Sequence, residues 1–266
     1  MSHARHHYSP CNPRPRDSNN LQNESQIIFT SIHSGLPSCC VSIGFCLDQK
    51  PLMGVVYAPM TDELYIGVVG YGAFRNGNKI MPAKKETPLK EAVVCFEFGY
   101  VRGRKEVASM VSVVENIMAY GCRATRQIGS GVLDLCYVAT GRLDVVYAGV
   151  AGDGWKPWDL CAGYVIAREA GCVMESFQQS EQGDFDLYSQ NHICATNKVL
   201  LEVRKMGDFQ LRLPLPLFVD SCTLVVLCFS FRTFEHLSRM NGTNLRRKIN
   251  KLVKMELFSK LCSNTE

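Results

Sequence analysis

The sequence lacks the marks of several protein classes. Its N-terminus has no apolar signal segment, so a reducing, cytoplasmic environment is expected. Its 13 cysteines are scattered without the paired spacing of a zinc site or a small disulfide scaffold, and most of them are expected to be small buried apolar residues. The formal net charge is only +4, which gives no reason to expect a nucleic-acid partner.

A clear membrane-spanning run is also missing. The most apolar stretch, residues 213–231, contains two prolines and Asp220. It is too short and too interrupted to predict a transmembrane helix. Attachment to a membrane is therefore kept only as a distant alternative.

The chain falls into three zones. Its 266 residues are enough for one large domain or two small ones. Residues 1–31 are rich in Pro, Asn, Ser and Arg and are expected to be a solvated tail. Residues 32–206 have the pattern of a folded domain. Residues 207–266, first apolar and then basic, are expected to be an extension outside the fold.

Periodicity within 32–206 predicts strands first and alternating units afterwards. Apolar, β-branched runs at 40–47, 52–59 and 63–70 indicate an antiparallel meander, which continues through an Asn76-Gly77 turn. Helical spacing follows from Lys105 to Tyr120, and strands then alternate with helices over 130–141, 158–171 and 198–206. This order predicts an α/β or α+β layered protein in two parts.

Two predicted helix starts are candidate anion sites. Gly129-Ser130-Gly131 lies between a strand and a helix, where unpaired N–H groups favour an anion and small residues allow it to approach. The alternative is that Ser130 is only a helix N-cap. Asp159 begins the next helix, either as an N-cap carboxylate or as a metal ligand or hydroxyl acceptor at the mouth of a cleft. Two such starts on one side of a sheet would form a crevice.

The segment "WKPWDLCAGYVIAREAGC" resembles the C-terminal signature of the inositol monophosphatase family, which reads Trp-Asp-x-Ala-Ala-Gly and then Glu-Ala-Gly-Gly. It departs from that signature at Cys161 and Cys172, where Ala and Gly are more usual. Residues 33–80 are similar to the family segment that carries its antiparallel sheet, and residues 128–149 to its substrate-side segment. The resemblance covers about residues 32–206.

The resemblance implies a layered αβαβα fold of the sugar-phosphatase type and Mg²⁺-dependent hydrolysis of small phosphate monoesters such as myo-inositol phosphates. It also implies a homodimer, or a heterodimer with a full-length family member. Asp159 would be a metal ligand that also contacts a substrate hydroxyl, and Gly129, Ser130 and Gly131 would contact substrate. Two or three Mg²⁺ ions suit this chemistry, because they neutralise phosphoryl oxygens and activate water.

One part of the family pattern is absent from the sequence. The family carries an Asp-Pro-Ile-Asp-Gly-Thr metal motif just before the region of His33, and this chain reads "NESQIIFTSI" there. Ala148 stands near a position where the family has an acidic substrate contact. We therefore expect a fold that is incomplete at its N-terminal end and an impaired activity. The alternatives are a non-catalytic module that dimerises or binds phosphorylated ligands, and a phosphatase for another small phosphate monoester.

Overall fold

The computed structural model describes residues 36–47, 50–82, 86–176 and 185–207, together with the backbone of Val225–Cys228. The predicted tail 1–31 lies outside these residues, as do most of the segment 207–266 and most of the apolar run 213–231. Within the described part of the chain, no helix is both long enough and apolar enough to cross a membrane.

The first sheet is antiparallel. Its strands are β1 (Val41–Leu47), β2 (Lys50–Ala58), β3 (Glu63–Val68), β4 (Gly72–Arg75), β5 (Asn78–Ile80) and β11 (Val225–Cys228), in the spatial order β11-β1-β2-β3-β4-β5. The predicted turn between β4 and β5 is confirmed, with positive φ at both Asn76 and Gly77. Two positive φ angles match the twist that a two-residue hairpin needs.

The second sheet is mixed. Its strands are β6 (Val93–Glu97), β7 (Ala124–Arg126), β8 (Val145–Ala148), β9 (Val173–Ser176) and β10 (His192–Ala195), in the order β7-β6-β8-β10-β9. β6 runs parallel to both β7 and β8, whereas β10 is antiparallel to β8 and β9. The carboxyl ends of the three parallel strands therefore lie at one edge of the sheet.

Three α-helices are described: α1 (Arg104–Tyr120), α2 (Gly131–Ala139) and α3 (Pro157–Glu169). Short 3₁₀ helices cover Leu89–Glu91 and Lys198–Met206. The helix expected over 198–206 is present, and it has the 3₁₀ form. Packing determines the helix type of this segment. It is only nine residues long, and it buries Leu200, Leu201 and Val203.

The elements stack in four layers. α3 packs on β1 to β4 of the first sheet, and α2 packs on α3 and against β8 and β10 of the second sheet. The opposite face of the second sheet meets α1, whose Met110, Val113 and Ile117 share a core with Val94 and Val145. The order is sheet, helix pair, sheet and helix. This agrees with the expected layered α/β architecture.

A row of glycines brings α3 onto the first sheet. Gly44 pairs with Gly54, and Gly54 pairs with Gly67, so the three lie side by side across β1, β2 and β3. A Cβ atom on Gly54 would lie 2.3 Å from the carbonyl oxygen of Ala162, and one on Gly67 would lie 2.8 Å from Cα of Ile166. The helix backbone therefore rests directly on the strands, at a distance that side chains would not allow.

The expectation that residues 207–266 lie outside the fold is wrong at Val225–Cys228. These four residues pair with β1 in antiparallel register, from Phe45 opposite Val225 to Ser42 opposite Cys228. β1 would otherwise present unpaired N–H and C=O groups on that edge, and an apolar, β-branched run satisfies them.

We predict that Gly54→Ala lowers the free energy of unfolding by about 1–3 kcal/mol, because the new methyl group would force α3 away from the sheet. Gly103→Ala is the matched control. Gly103 also has a negative φ, and its added Cβ would meet only the end of the flexible Glu106 side chain, which can move. Chemical denaturation of both variants tests the prediction, and equal losses in the two would contradict it.

Candidate functional site

The start of α2 forms one side of the site. Gly129, with φ of +80°, turns the chain between β7 and the helix. Ser130 is the N-cap residue, but its side chain makes no capping hydrogen bond. The capping alternative therefore does not account for the Ser130 hydroxyl. The N–H groups of the first helical turn give this end of α2 a partial positive charge.

Glu97, the last residue of β6, binds the backbone of this turn. Its Oε1 atom accepts hydrogen bonds from the N–H of Gly129 at 2.7 Å and of Ile128 at 3.2 Å. Two donors on one carboxylate oxygen fix the backbone that precedes α2. The position of Gly129-Ser130-Gly131 thus depends on a residue that the sequence analysis did not single out.

A second carboxyl group reaches Glu97 from within α2. Asp134 is fully buried and hydrogen-bonded to Glu97, and the Cys95 thiol lies 3.6 Å from its Oδ1 atom. Burial, followed by the charge of Glu97, raises the pKa of Asp134 well above its usual range. Asp134 therefore keeps its proton and donates it to Glu97. Asp134 Oδ2 has no hydrogen-bond partner in the described part of the chain.

Cys95, Glu97 and Asp134 are the one group of three metal-ligating side chains among the described residues, with ligand atoms within 4.8 Å of one another. They do not fit Mg²⁺. That ion prefers oxygen ligands and keeps several waters, whereas this group contains a thiol and a fully buried carboxyl. The two carboxyl groups share a proton, and Glu97 already accepts two backbone hydrogen bonds. The group holds a proton and positions a loop.

Asp159 lies in the first turn of α3. Its Oδ2 atom accepts a hydrogen bond from the N–H of Lys156 at 3.0 Å. Lys156 is the N-cap residue, so Asp159 caps the helix from its third position and not as the N-cap carboxylate of the sequence-based alternative. The side chain is half-buried. Within the described ranges no group of three or more metal-ligating side chains includes Asp159. Its role as a metal ligand stays a prediction.

The loop before α3 is tied down by charged and polar contacts. The Lys156 ammonium lies 3.2 Å from Asp153 Oδ1 and 2.9 Å from Gln190 Oε1. The other Asp153 oxygen accepts the N–H of Tyr100 at 2.7 Å. These bonds join three chain segments. They also hold the charged side chain of Lys156, whose backbone N–H binds Asp159.

Trp155 brings the two helix starts together. It is four residues before Asp159, and its indole ring lies against Gly131, where an added Cβ would be 2.1 Å from Trp155 Nε1. Trp155 is buried, and its Nε1–H has no acceptor in the described part of the chain. The starts of α2 and α3 therefore meet at the carboxyl ends of β6, β7 and β8, where a ligand crevice is expected.

Weak sequence signals marked the residues that were missed. Glu97 is the one carboxylate in the apolar run 92–98, and Asp134 interrupts the otherwise apolar α2. A carboxylate in an apolar element is buried only with a polar partner, so each of these two residues indicated that such a partner lies nearby in the fold. Trp155 carried no comparable signal, because its contact with Gly131 exists only in three dimensions.

Comparison with known proteins gives a consistent result. The sequence profile of the family described as the Inositol monophosphatase family matches residues 31–206. Inositol monophosphatase 1 of Solanum lycopersicum is 39% identical over 173 residues, which are 65% of this chain and 60% of that protein. The Fructose-1,6-bisphosphatase/inositol-1-monophosphatase of Aquifex aeolicus is 36% identical over 140 residues, which are 53% of this chain and 50% of that protein.

Solved structures are similar as well. The inositol monophosphatase from Anabaena sp. PCC 7120 superimposes with a TM-score of 0.58 and 26% identity, covering 66% of each chain. The predicted fold class is confirmed by this likeness. The chain spans about 60% of the length of the first curated relatives that it matches.

We predict that Asp134→Asn removes a pH-dependent part of the stability. The unfolded chain releases the Asp134 proton near pH 4, whereas the folded chain keeps it to higher pH because the pKa is raised. The contribution of Asp134 to the free energy of unfolding is therefore fully present below about pH 4, and it is lost as pH rises through the raised pKa of the folded state. Asparagine donates to Glu97 without any proton uptake.

The measurement is chemical denaturation of wild type and variant from pH 5 to 9. The difference between the two curves reports Asp134 together with its effect on Glu97, because burial raises the pKa of Glu97 and the bond with Asp134 opposes that rise. Burial lowers the pKa of His192 to about 4, and its opposite slope is common to both proteins. The other titratable groups around Asp134 are Glu97 and Cys95 on β6 and Cys136 and Tyr137 on its own helix, and the variant retains all four residues. Asp62→Asn, on the surface, controls for the change in net charge. Parallel curves would contradict a shared proton.

We also predict that Gly131→Ala destabilises the protein, although alanine is the better helix former by about 1 kcal/mol. The methyl group would overlap Trp155 Nε1. Thermal denaturation of Gly131→Ala, Trp155→Val and the double variant measures the coupling. We expect Gly131→Ala to lower the free energy of unfolding by at least about 1 kcal/mol when Trp155 is present. In the Trp155→Val background the same substitution should leave the free energy of unfolding unchanged or raise it. Additive effects would show that the indole can move aside.

Proposed function

The chain belongs to the inositol monophosphatase family, and we propose that it binds a small phosphate monoester where α2 and α3 begin. One observation carries the proposal. Glu97 holds the Gly129-Ser130-Gly131 turn. The turn places a helix N-terminus, and a serine hydroxyl that makes no capping hydrogen bond, beside the first turn of α3. Such a terminus favours the anionic end of a phosphate monoester.

Each predicted site residue has a proposed part in this binding. The N–H groups and the hydroxyl of Gly129, Ser130 and Gly131 donate to the substrate. Asp159 accepts a hydrogen bond from a substrate hydroxyl and offers an oxygen ligand to Mg²⁺. Lys156, held by Asp153, adds a positive charge that favours an anionic ligand at this end of the sheet.

Hydrolysis of myo-inositol monophosphate is the reaction we propose for the family site. When bound, Mg²⁺ would neutralise phosphoryl oxygens and activate water. The donor set seen around Asp159 does not fit this ion by itself, because Asp159 belongs to no group of three or more metal-ligating side chains among the described residues. We therefore propose that a polypeptide of this sequence hydrolyses the substrate slowly.

The same observation favours a second candidate, a module that binds phosphorylated ligands or a full-length family member without catalysis. Nothing in such a role requires further carboxylates. For a catalytic chain, another small phosphate monoester is an alternative substrate, since the relative from Aquifex aeolicus is named both a fructose-1,6-bisphosphatase and an inositol-1-monophosphatase. Both readings place the ligand at the same turn.

Replacing Ser25–Thr30 by Asp-Pro-Ile-Asp-Gly-Thr tests the proposal by gain of function. We expect phosphate release from inositol 1-phosphate to rise at least about tenfold with Mg²⁺, because two carboxylates are restored. Asp159→Asn in that variant should then remove the gain, whereas Asp62→Asn should not. Phosphate release with and without EDTA is the measurement.

Inorganic phosphate binding to the unmodified chain separates the two candidates. Calorimetric binding that Ser130→Ala weakens, together with no gain of turnover in the replaced variant, would favour the non-catalytic module. Strong Mg²⁺-dependent turnover by the unmodified chain would show that ligands other than those considered complete the site. Neither binding nor turnover in either protein would overturn the proposed function.

A further inference from the structure

Two cysteines from different elements meet in the core. Cys46 lies near the end of β1, and Cys161 lies in α3, 115 positions further along the chain. Their Sγ atoms are 3.1 Å apart, and the two residues are 1% and 0% exposed. A disulfide bond is about 2.05 Å long, so a movement of about 1 Å separates this pair from a covalent link.

The surrounding backbone makes room for the pair. A Cβ atom on Gly44 would lie 2.2 Å from the Cys161 sulfur, so the glycine leaves the space that this sulfur fills. The register of β1 on β2 shifts between Phe45 and Cys46, and such an irregularity re-aims the side chain that follows it. Both features bring the sulfurs together.

We propose that Cys46 and Cys161 are a thiol-oxidation site at which a hydroperoxide forms a disulfide between β1 and α3. In the first step one of the two sulfurs attacks the peroxide, the O–O bond breaks, and a sulfenic acid and one water form. In the second step the other sulfur displaces hydroxide from the oxidised sulfur, and its thiol proton completes a second water. Two electrons leave the thiols, and one hydrogen peroxide becomes two waters.

Either thiol of the pair can donate to the other sulfur, so the contact does not decide which sulfur is oxidised first. Burial restricts the oxidant to a small molecule, and hydrogen peroxide is the probe of choice. The proposal does not depend on phosphatase activity.

The disulfide would tether the helix that carries Asp159. Cys161 is two residues after Asp159 in α3, and the bond would anchor that turn to the first sheet. A cross-link that closes a loop of this length strongly restricts the unfolded chain. Oxidation should therefore raise the midpoint of thermal unfolding.

The experiment treats the purified full chain with hydrogen peroxide, blocks remaining thiols, and maps peptides by mass spectrometry without reduction. We expect a linked peptide pair that joins Cys46 and Cys161 and is two hydrogens lighter than the sum of its parts. The hydrogen-bonded pair Cys172 and Cys194 is an internal comparison. Oxidation of that pair or of other cysteines while Cys46 and Cys161 stay reduced would overturn the proposal.

Variants test the site without relying on detection of the linked peptide pair. In Cys161→Ala and in Cys46→Ala no disulfide can form, so a dimedone adduct should accumulate on the remaining cysteine of the pair in at least one of the two variants. The rise in the unfolding midpoint on oxidation should also disappear in Cys161→Ala but persist in Cys122→Ser, which changes a cysteine outside the pair. No dimedone label on the remaining cysteine of the pair in either variant, or an equal rise of the midpoint in wild type, Cys161→Ala and Cys122→Ser, would contradict the proposed site.

Discussion

The close contact between the α3 backbone and the glycine row of Gly44, Gly54 and Gly67 is the constraint on which the rest of the molecule depends. It fixes the height of α3 above the first sheet, because there is no side chain between them. Gly163, on another face of α3, admits the side chain of Leu135 from α2. The position of each helix is thus set by a missing side chain on its neighbour, and the two helix starts meet as a consequence.

The site depends equally on two buried carboxyl groups that share one proton. An ionised pair at this depth would be prohibitively unfavourable, whereas a protonated Asp134 that donates to Glu97 leaves a single negative charge. Two backbone N–H groups then stabilise that charge. A network of this kind is rigid because every member is needed. It converts a buried charge, which would normally destabilise the fold, into a support for the loop before α2.

Local rules predicted most of the fold. The Asn76-Gly77 turn followed from its dipeptide, and the helix from Lys105 to Tyr120 followed from its spacing, because both signals act over a few residues. The 3₁₀ form of the helix at 198–206 and the pairing of Val225–Cys228 with β1 did not follow. Each is decided by what the segment packs or pairs with, and a local pattern contains no information about that partner.

The site was predictable only in part, and Asp159 shows why. A carboxylate in the first turn of a helix is stabilised by the N-terminal N–H groups whether or not it also serves a ligand. The bond from Lys156 N–H to Asp159 is therefore compatible both with a capping carboxylate and with a metal ligand. It orients one oxygen toward the backbone and so holds the carboxylate in a fixed direction. What distinguishes a cap from a metal ligand is the number of other carboxylates around it, since Mg²⁺ gives up its waters only to several hard oxygens. That number is a property of the surrounding chain and cannot be read from the residue itself.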